Sequence, residues 1–557
     1  MTGTHTNVRS TVPEPDTTPK VHWAPLAVRI ASHIAVWVTV LASAGIEAAD
    51  GWRPVGDNAA IASRAFQTFS AHPPVVGMLS TAGGSGRALF DPGPLLFWLL
   101  AVPVRLDATQ GMLWGAAVLA GVVLSVAIEA VWTTQLWVGC GVIAFAVADL
   151  FWLTPSVFEN ISWNAYFPIP FFIATLALAW VVASGRFGWW PVLVFTASVA
   201  AQAHLLFSIP CAALALIAPL LGLAVGARPR RLRWLWIGLG VALACWIVPI
   251  LQQLFGKSGN LSALAGSQSG QAKFGVSFAL SLLGRVALPS PVWLAHQPTT
   301  TAGLITFETA AKQATGVAVL VVLGATVVWG RITRRSPLAA AASVSLLASV
   351  AVLISFAIFP TKNYLNLFYL LDLLWPLGIM IWATVAWGVV SVVSDTVRRW
   401  RLATSTSRGQ VPPAWQGAGA VVTIGLLALV AILGIGGLQR FTPTEQTVSW
   451  DAVDAASVIN IARAVERVAP EGPVALTVVN GPKSLLSGIW ISEGVAWKLE
   501  SDGWAPGVNP IESNYTGLVI PKGTVYRLVT VTMDGTRVVS VSTSQCQTGD
   551  AKCPGFG

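Results

Sequence analysis

Apolar runs of about twenty residues recur along the chain, at 26–48, 110–130, 134–153, 167–184, 189–206, 208–226, 233–254, 314–331, 337–359, 366–394 and 418–438. At about 1.5 Å per helical residue, each is long enough to cross the hydrocarbon of a bilayer. Each therefore predicts a membrane-spanning helix. Two further stretches are ambiguous: PGPLLFWLLAVPVRL at 92–106 is short for a crossing, and FGVSFALSLLGRVALPSPVW at 274–293 is interrupted by Arg285. The pattern predicts a mainly α polytopic protein with about 11–13 transmembrane helices.

After residue 440 the pattern changes. VSWDAVDAASVINIARAVERVAP carries apolar residues at helical spacing, while GPVALTVV and TVYRLVTVTM read as strands between turn residues. The expected organisation is a polar, disordered tail at 1–25, a membrane domain at 26–439 with a first outer loop at 49–91, and a small α/β domain at 440–557.

Composition supports the membrane reading. Of 557 residues, 54% are hydrophobic and only 10% charged, with mean hydropathy +0.68. Soluble domains carry about a quarter charged residues, so a soluble protein is excluded. The net charge of +9 is carried largely by short basic connections: Arg228, Arg230, Arg231 and Arg233, then Arg331, Arg334 and Arg335, then Arg398, Arg399, Arg401 and Arg408. The positive-inside rule makes these connections cytoplasmic. Alternation through the spans then puts the N-terminal tail on the same side and 440–557 outside a plasma membrane. The bilayer explains this charge, and nucleic acid is not an expected partner.

Cys140, Cys211 and Cys245 fall in apolar runs and read as packing residues. Cys546 and Cys553 lie in the chain's polar C-terminal tail, STSQCQTGDAKCPGFG, with six residues between them. An extracytoplasmic tail favours a small disulfide loop between them, since a zinc site would need further ligands nearby.

The first outer loop holds the candidate chemistry. In VGDNAAIASRAF, Gly56 permits a turn, and Asp57 with Asn58 can cap the helix that follows. That helix is amphipathic through Ala60, Ile61, Ala65, Phe66 and Phe69, suited to lying on a membrane surface. Asp91 stands immediately before Pro-Gly-Pro, with Arg64 and Arg87 as candidate partners. A carboxylate close to hydrocarbon costs about 2–4 kcal/mol at depth and calls for a partner or a task. Helix capping is the plain alternative for both acids.

GDNAAIASRAFQTFSAHPPVVGMLS followed by FDPGPLLFWLLAVPVRL resembles the first outer loop of the GT-C membrane glycosyltransferases, and the membrane layout and outer C-terminal domain extend the resemblance over most of the chain. It points to the actinobacterial branch, which contains arabinosyl- and mannosyltransferases of cell-wall biogenesis. The resemblance implies transfer of a sugar from a polyprenyl-phosphate donor to an envelope glycan or glycolipid, with Asp57 as general base. Asp91 stands where many relatives have His, and its role in catalysis, metal binding or structure stays open. Some relatives use a divalent cation, so Mg or Mn enters as an expectation without assigned ligands.

An inverting transfer needs a base for the acceptor hydroxyl and positive charge for the departing phosphate. Glu159, Asn164, His204 and Tyr364 are the candidates for substrate binding, with Asn160, Trp163, Tyr166, Gln202 and Asn363 beside them in sequence. Arg285 and Lys362 are the candidates for the donor phosphate, with snorkelling to lipid headgroups as the alternative. A lipid-linked sugar flippase is the rival function, favoured by the membrane acids Asp149 and Asp372 but lacking an evident internal repeat. A non-catalytic envelope-assembly subunit is a third reading.

Overall fold

A computed structural model describes residues 23–80, 88–153, 156–224, 233–256, 259–267, 271–287, 291, 293, 310–362, 371–404, 450–469, 472–480, 485–508, 516–521, 523–534 and 537–548. The membrane half contains α1 (Trp23–Ala49), α2 (Asp57–Gln67), α3 (Leu95–Leu106), α4 (Gly111–Trp132), α5 (Val138–Leu153), α6 (Ser156–Glu159), α7 (Pro168–Ala183), α8 (Trp190–Ala203), α9 (Ser208–Ala224), α10 (Arg233–Phe255), α11 (Asn260–Ser267) and α12 (Gly275–Arg285). It continues with α13 (Ala310–Ile332), α14 (Ser336–Ala357) and α15 (Leu374–Thr404). Among the described residues, seven helices are long and apolar enough to cross a membrane. The protein is a multi-pass, mainly α membrane protein with a small C-terminal α/β region.

Contacts between non-adjacent segments define two ends of the bundle. At the basic end Arg331 Nη1 donates to Ala224 O at 2.8 Å, Arg335 pairs with Asp395 at 2.6 Å, and Trp180 Nε1 donates to Pro337 O at 3.0 Å. Arg29 pairs with Glu129 across α1 and α4. The loops holding Asp57, Asp91 and residues 160–167 meet at the opposite, polar end. The predicted span 418–438 lies outside the described residues. The described helices flanking it end at opposite ends of the bundle: Asp395 of α15 at the basic end, and the C-terminal region at the polar end.

The two ambiguous stretches do not cross. α3 begins beside Gln202 at the end of α8, where a Cβ on Gly93 would lie 2.1 Å from Gln202 Oε1. It ends where Gln110 Nε2 donates to Ala48 O at 2.9 Å, at the same end of the bundle. Twelve residues give only about 18 Å of helix, short of a bilayer core. α12 likewise starts against the end of α14, through Phe274 N to Phe359 O at 3.1 Å. It finishes beside the start of α13, where a Cβ on Gly284 would lie 2.0 Å from Lys312 O. The small residues let these two backbones meet.

The C-terminal region comprises α16 (Trp450–Val468), β1 (Pro473–Asn480), α17 (Leu485–Ser501), β2 (Ala505–Gly507), β3 (Val525–Asp534) and β4 (Arg537–Gln547). The strand order is β2-β1-β3-β4. β1 is parallel to β2 and β3, whereas β4 returns antiparallel on β3. Parallel neighbours require a crossover, and α17 supplies it between β1 and β2. Val458, Ile461 and Val465 of α16 and Ile491, Val495 and Leu499 of α17 pack with Val474, Leu476, Val529 and Val531 of the sheet. Cys546 is buried on β4 opposite Tyr526 and is disulfide-bonded. Its expected partner Cys553 lies outside the described residues. Cys140, Cys211 and Cys245 are buried free thiols, as packing residues should be.

Candidate functional site

Asp57 occupies the first position of α2, and Gly56 precedes it with φ 52° and ψ −132°. Glycine tolerates this left-handed turn, which aims the chain into the helix. The expected side-chain cap is not formed. Instead Asp57 Oδ2 accepts a hydrogen bond from Trp163 Nε1 at 2.8 Å. The expected surface placement of α2 also changes. Ala59, Ala60, Ile61, Ala62 and Ala65 are buried where α2 packs between α3 and α17. Small side chains along α2 permit this sandwich, so tertiary packing takes the apolar face that sequence alone assigns to lipid.

Asp91 is fixed by a short antiparallel ladder. Asp91 N donates to Met78 O at 2.7 Å, and Gly77 N donates to Asp91 O at 3.0 Å. A Cβ at Gly77 would lie 2.7 Å from Asp91 Cβ, so glycine is required by close approach. Asn260 completes the ladder as a side-chain edge: its Oδ1 accepts from Phe90 N at 3.1 Å and its Nδ2 donates to Phe90 O at 2.9 Å. Asp91 Oδ2 accepts from Asn164 Nδ2 at 3.3 Å, and Oδ1 accepts from Leu205 N at 3.0 Å.

The turn at 162–166 joins these parts. Ser162 Oγ donates to Asn58 Oδ1 at 3.2 Å, Trp163 to Asp57, and Asn164 to Asp91. Tyr166 donates its hydroxyl to Asp372, in the 3-10 turn before α15. The Trp163 and Tyr166 rings stack edge-on at 5.1 Å. Five consecutive residues thus gather carboxylates from three distant parts of the chain.

Burial raises the Asp57 carboxyl above its ordinary range, opposed by the Trp163 bond. Asp57 nevertheless keeps part of its surface open, and among the described residues the Trp163 bond engages Oδ2 and leaves Oδ1. Such a group is enclosed by protein on most sides. Burial also pushes Asp91 up to about 8 against the donors Asn164 and Leu205. Its two oxygens thus tie the Asp91 loop to the 162–166 turn and to the 3-10 turn after α8.

The remaining sequence candidates divide. Asn164 joins the turn directly. Glu159, half-buried, ends α6 three residues before it. His204 Nδ1 accepts from Leu206 N at 3.2 Å, so the ring caps the 3-10 turn following α8. It is sequence-adjacent to the Leu205 amide that holds Asp91. Arg285 is half-buried at the end of α12, where it acts on Lys312 as a neighbouring like charge. Lys362 is exposed beside the bridge from Thr361 N to Ala272 O. Tyr364 and Arg87 lie outside the described residues. Asn260 and the Leu205 amide escaped the sequence reading. An Asn between two helical runs carries no distinctive signal, and a backbone donor carries none at all.

Among the described residues no three His, Cys, Asp or Glu side chains converge as a cation's ligands would. The carboxylates at the turn already face donors: N–H groups at Asp57 and Asp91 and the Tyr166 hydroxyl at Asp372. Among the described residues this turn does not supply the carboxylate cluster that a divalent cation needs.

No protein-family model matches the chain, and no curated protein matches it in sequence. Among solved structures it is similar to ArnT from Cupriavidus metallidurans, whose crystal structure has undecaprenyl phosphate bound. The similarity covers 92% of this chain and 94% of that one, at 15% identity and a TM-score of 0.48. Likeness at that level assigns no function to this chain.

Proposed function

We propose that the protein is a GT-C-type glycosyltransferase that takes a sugar from a polyprenyl-phosphate donor at the outer face of the membrane and passes it to an envelope glycan or glycolipid. The observation that carries this reading is the turn at 162–166, which presents Asp57 at the end of the bundle opposite the arginine clusters. By the positive-inside rule, that end faces outward.

In this reading Trp163 holds Asp57 Oδ2 and leaves Oδ1 to accept the acceptor hydroxyl's proton. The acceptor oxygen forms a bond to the sugar's C1 as the C1–O bond to the lipid phosphate breaks. The electron pair of that bond leaves with the phosphate, and the configuration at C1 inverts. A raised carboxyl is a stronger base, closer in affinity to the hydroxyl it must deprotonate. Asp91 and Asn164 keep the outer loops in register beside it. Arg285 and Lys362 are the proposed cations for the lipid phosphate; Glu159, His204 and Tyr364 are proposed to meet the sugars.

Purified protein in proteoliposomes, supplied with a panel of radiolabelled polyprenyl-phosphate sugars and envelope glycan acceptors, provides the test. Transfer is expected with at least one donor and is expected to be lost in Asp57→Asn, which retains fold and expression. Near-normal transfer by that variant removes Asp57 as the base, and failure with every donor overturns the reading.

Asp149 favours the flippase as a second reading, because it is an unpartnered acid within a membrane helix. Movement of a fluorescent lipid-linked sugar across these proteoliposomes, abolished by Asp149→Asn, would establish that alternative.

A further inference from the structure

We infer that Glu500, in the C-terminal region, is a positioning residue for Asp57 and acts through the last turn of α2. The inference deepens the proposed reaction and rests on Asp57 being its base. α2 has 11 residues, too few to hold a helix by local bonds alone. What packs against it therefore decides where its first carboxylate stands.

The C-terminal region grips α2 at both ends. Val55, two residues before Asp57, belongs to the apolar core built by Val458, Ile461 and Val495. A Cβ on Gly494 of α17 would lie 3.1 Å from Val55 Cγ1 and 3.3 Å from Pro54 O, so the two backbones touch. At the far end Gln67 Nε2 donates to Glu500 Oε1 and to Thr516 O, each at 3.1 Å. Phe66 packs edge-on against Trp497 at 5.7 Å. Trp497 in turn donates to Ala108 O at 3.2 Å, tying the same helix to the α3–α4 connection.

Glu500 is the centre of this grip. Arg64 and Arg105 both act on its carboxylate, and Ser63 faces it from α2. Burial lowers Arg64's hold on its proton, and Glu500 opposes that loss. Removing Glu500 leaves a desolvated guanidinium without this carboxylate and Gln67 without one acceptor, which is costlier than an exposed lost pair. Burial also raises Glu500 to about 7. Glutamine at 500 thus resembles the protonated side chain and retains the acceptor for Gln67. α2 moves as a short rod, so release of its last turn misaims Asp57 about 15 Å away.

The test uses the full chain in nanodiscs, with Glu500→Ala, Glu500→Gln and Asp57→Asn compared by amide exchange over 57–67 and by steady-state transfer. Glu500→Ala is expected to speed exchange across α2 and to lower kcat about tenfold or more, with donor KM unchanged, as small misplacements of a catalytic group do. Glu500→Gln is expected to recover most of both. Gln67→Ala removes the donor from the α2 side and gives the same pattern, serving as the measurement where Glu500→Ala does not fold. Unchanged exchange, or faster exchange with normal kcat, overturns the inference. Transfer by Asp57→Asn instead overturns the base assignment, while the exchange data still report whether Glu500 holds α2.

Discussion

Asp91 and Asp149 are both buried acids in a chain with few charges, at 2% and 0% exposure, but their surroundings are opposite. Asp91 accepts a side-chain amide on one oxygen and a backbone amide on the other. Asp149 lies in α5, and neither oxygen has a hydrogen-bond partner. Around Asp91, segments far apart in the chain bring donors; Asp149 is enclosed within an apolar helix, VGCGVIAFAVADLFWL, that brings none. Burial alone therefore does not make an acid part of a site. Converging donors do, because they fix the side chain and bind its loop to others.

The comparison fails first, and most visibly, at Asp57, the acid of the donor-rich region with an oxygen left over. Asp57→Asn is expected to cost about 10²–10⁴-fold in transfer, the usual worth of a general base, with the melting temperature unchanged. If a simple helix-start role were its whole purpose, asparagine would serve there at little cost.

A paired measurement separates the two buried acids themselves. Asp91→Ala strands the Leu205 amide and the Asn164 side chain, at about 1–3 kcal/mol for each unmet group. Asp149→Leu removes an acid that has no donors, and replacing such a group with an apolar one of similar volume is expected to be neutral or stabilising. Thermal unfolding in detergent checks both. Equal destabilisation by the two variants would erase the distinction.

Trp163→Phe sharpens the comparison within the turn. The ring against Tyr166 stays, and only the Nε1–H bond to Asp57 goes. Such a bond to a charged group is worth about 1.5–3 kcal/mol, so transfer is expected to fall roughly ten- to hundredfold. Transfer at the wild-type rate would show that Trp163 does not orient the base.

The last comparison is over pH. Asp91's folded value is raised to about 8, so the folded protein retains a proton that the unfolded chain has lost above about pH 4. Its contribution is full below that lower value and is lost as pH rises through about 8. Wild-type melting temperature is expected to fall between pH 5 and pH 9, and the fall is expected to shrink in Asp91→Asn. An unchanged slope would assign the effect to other groups.

The membrane half was largely legible in the sequence. Long apolar runs and arginine-rich connections reflect local length and charge, and α1, α4, α10, α13 and α14 lie within a few residues of the runs that predict them. The α/β character after 440 was legible for the same reason, since periodicity is a local property. Asp57 stood out because a chain with few charges gathers several of them in that loop, but its partner did not. Asp57 and Trp163 are 106 residues apart, Asp91 and Asn164 are 73 apart, and Gln67 and Glu500 are 433 apart. No spacing rule reaches across such distances. The sequence by itself determined the long apolar helices and which end of the bundle carries the arginines, because hydropathy and charge act residue by residue. Only the tertiary structure decided that α2 is gripped by the C-terminal region instead of resting on lipid, that α3 and α12 turn back, and that one five-residue turn gathers three acids. Those outcomes depend on which surfaces fit together after the helices have formed.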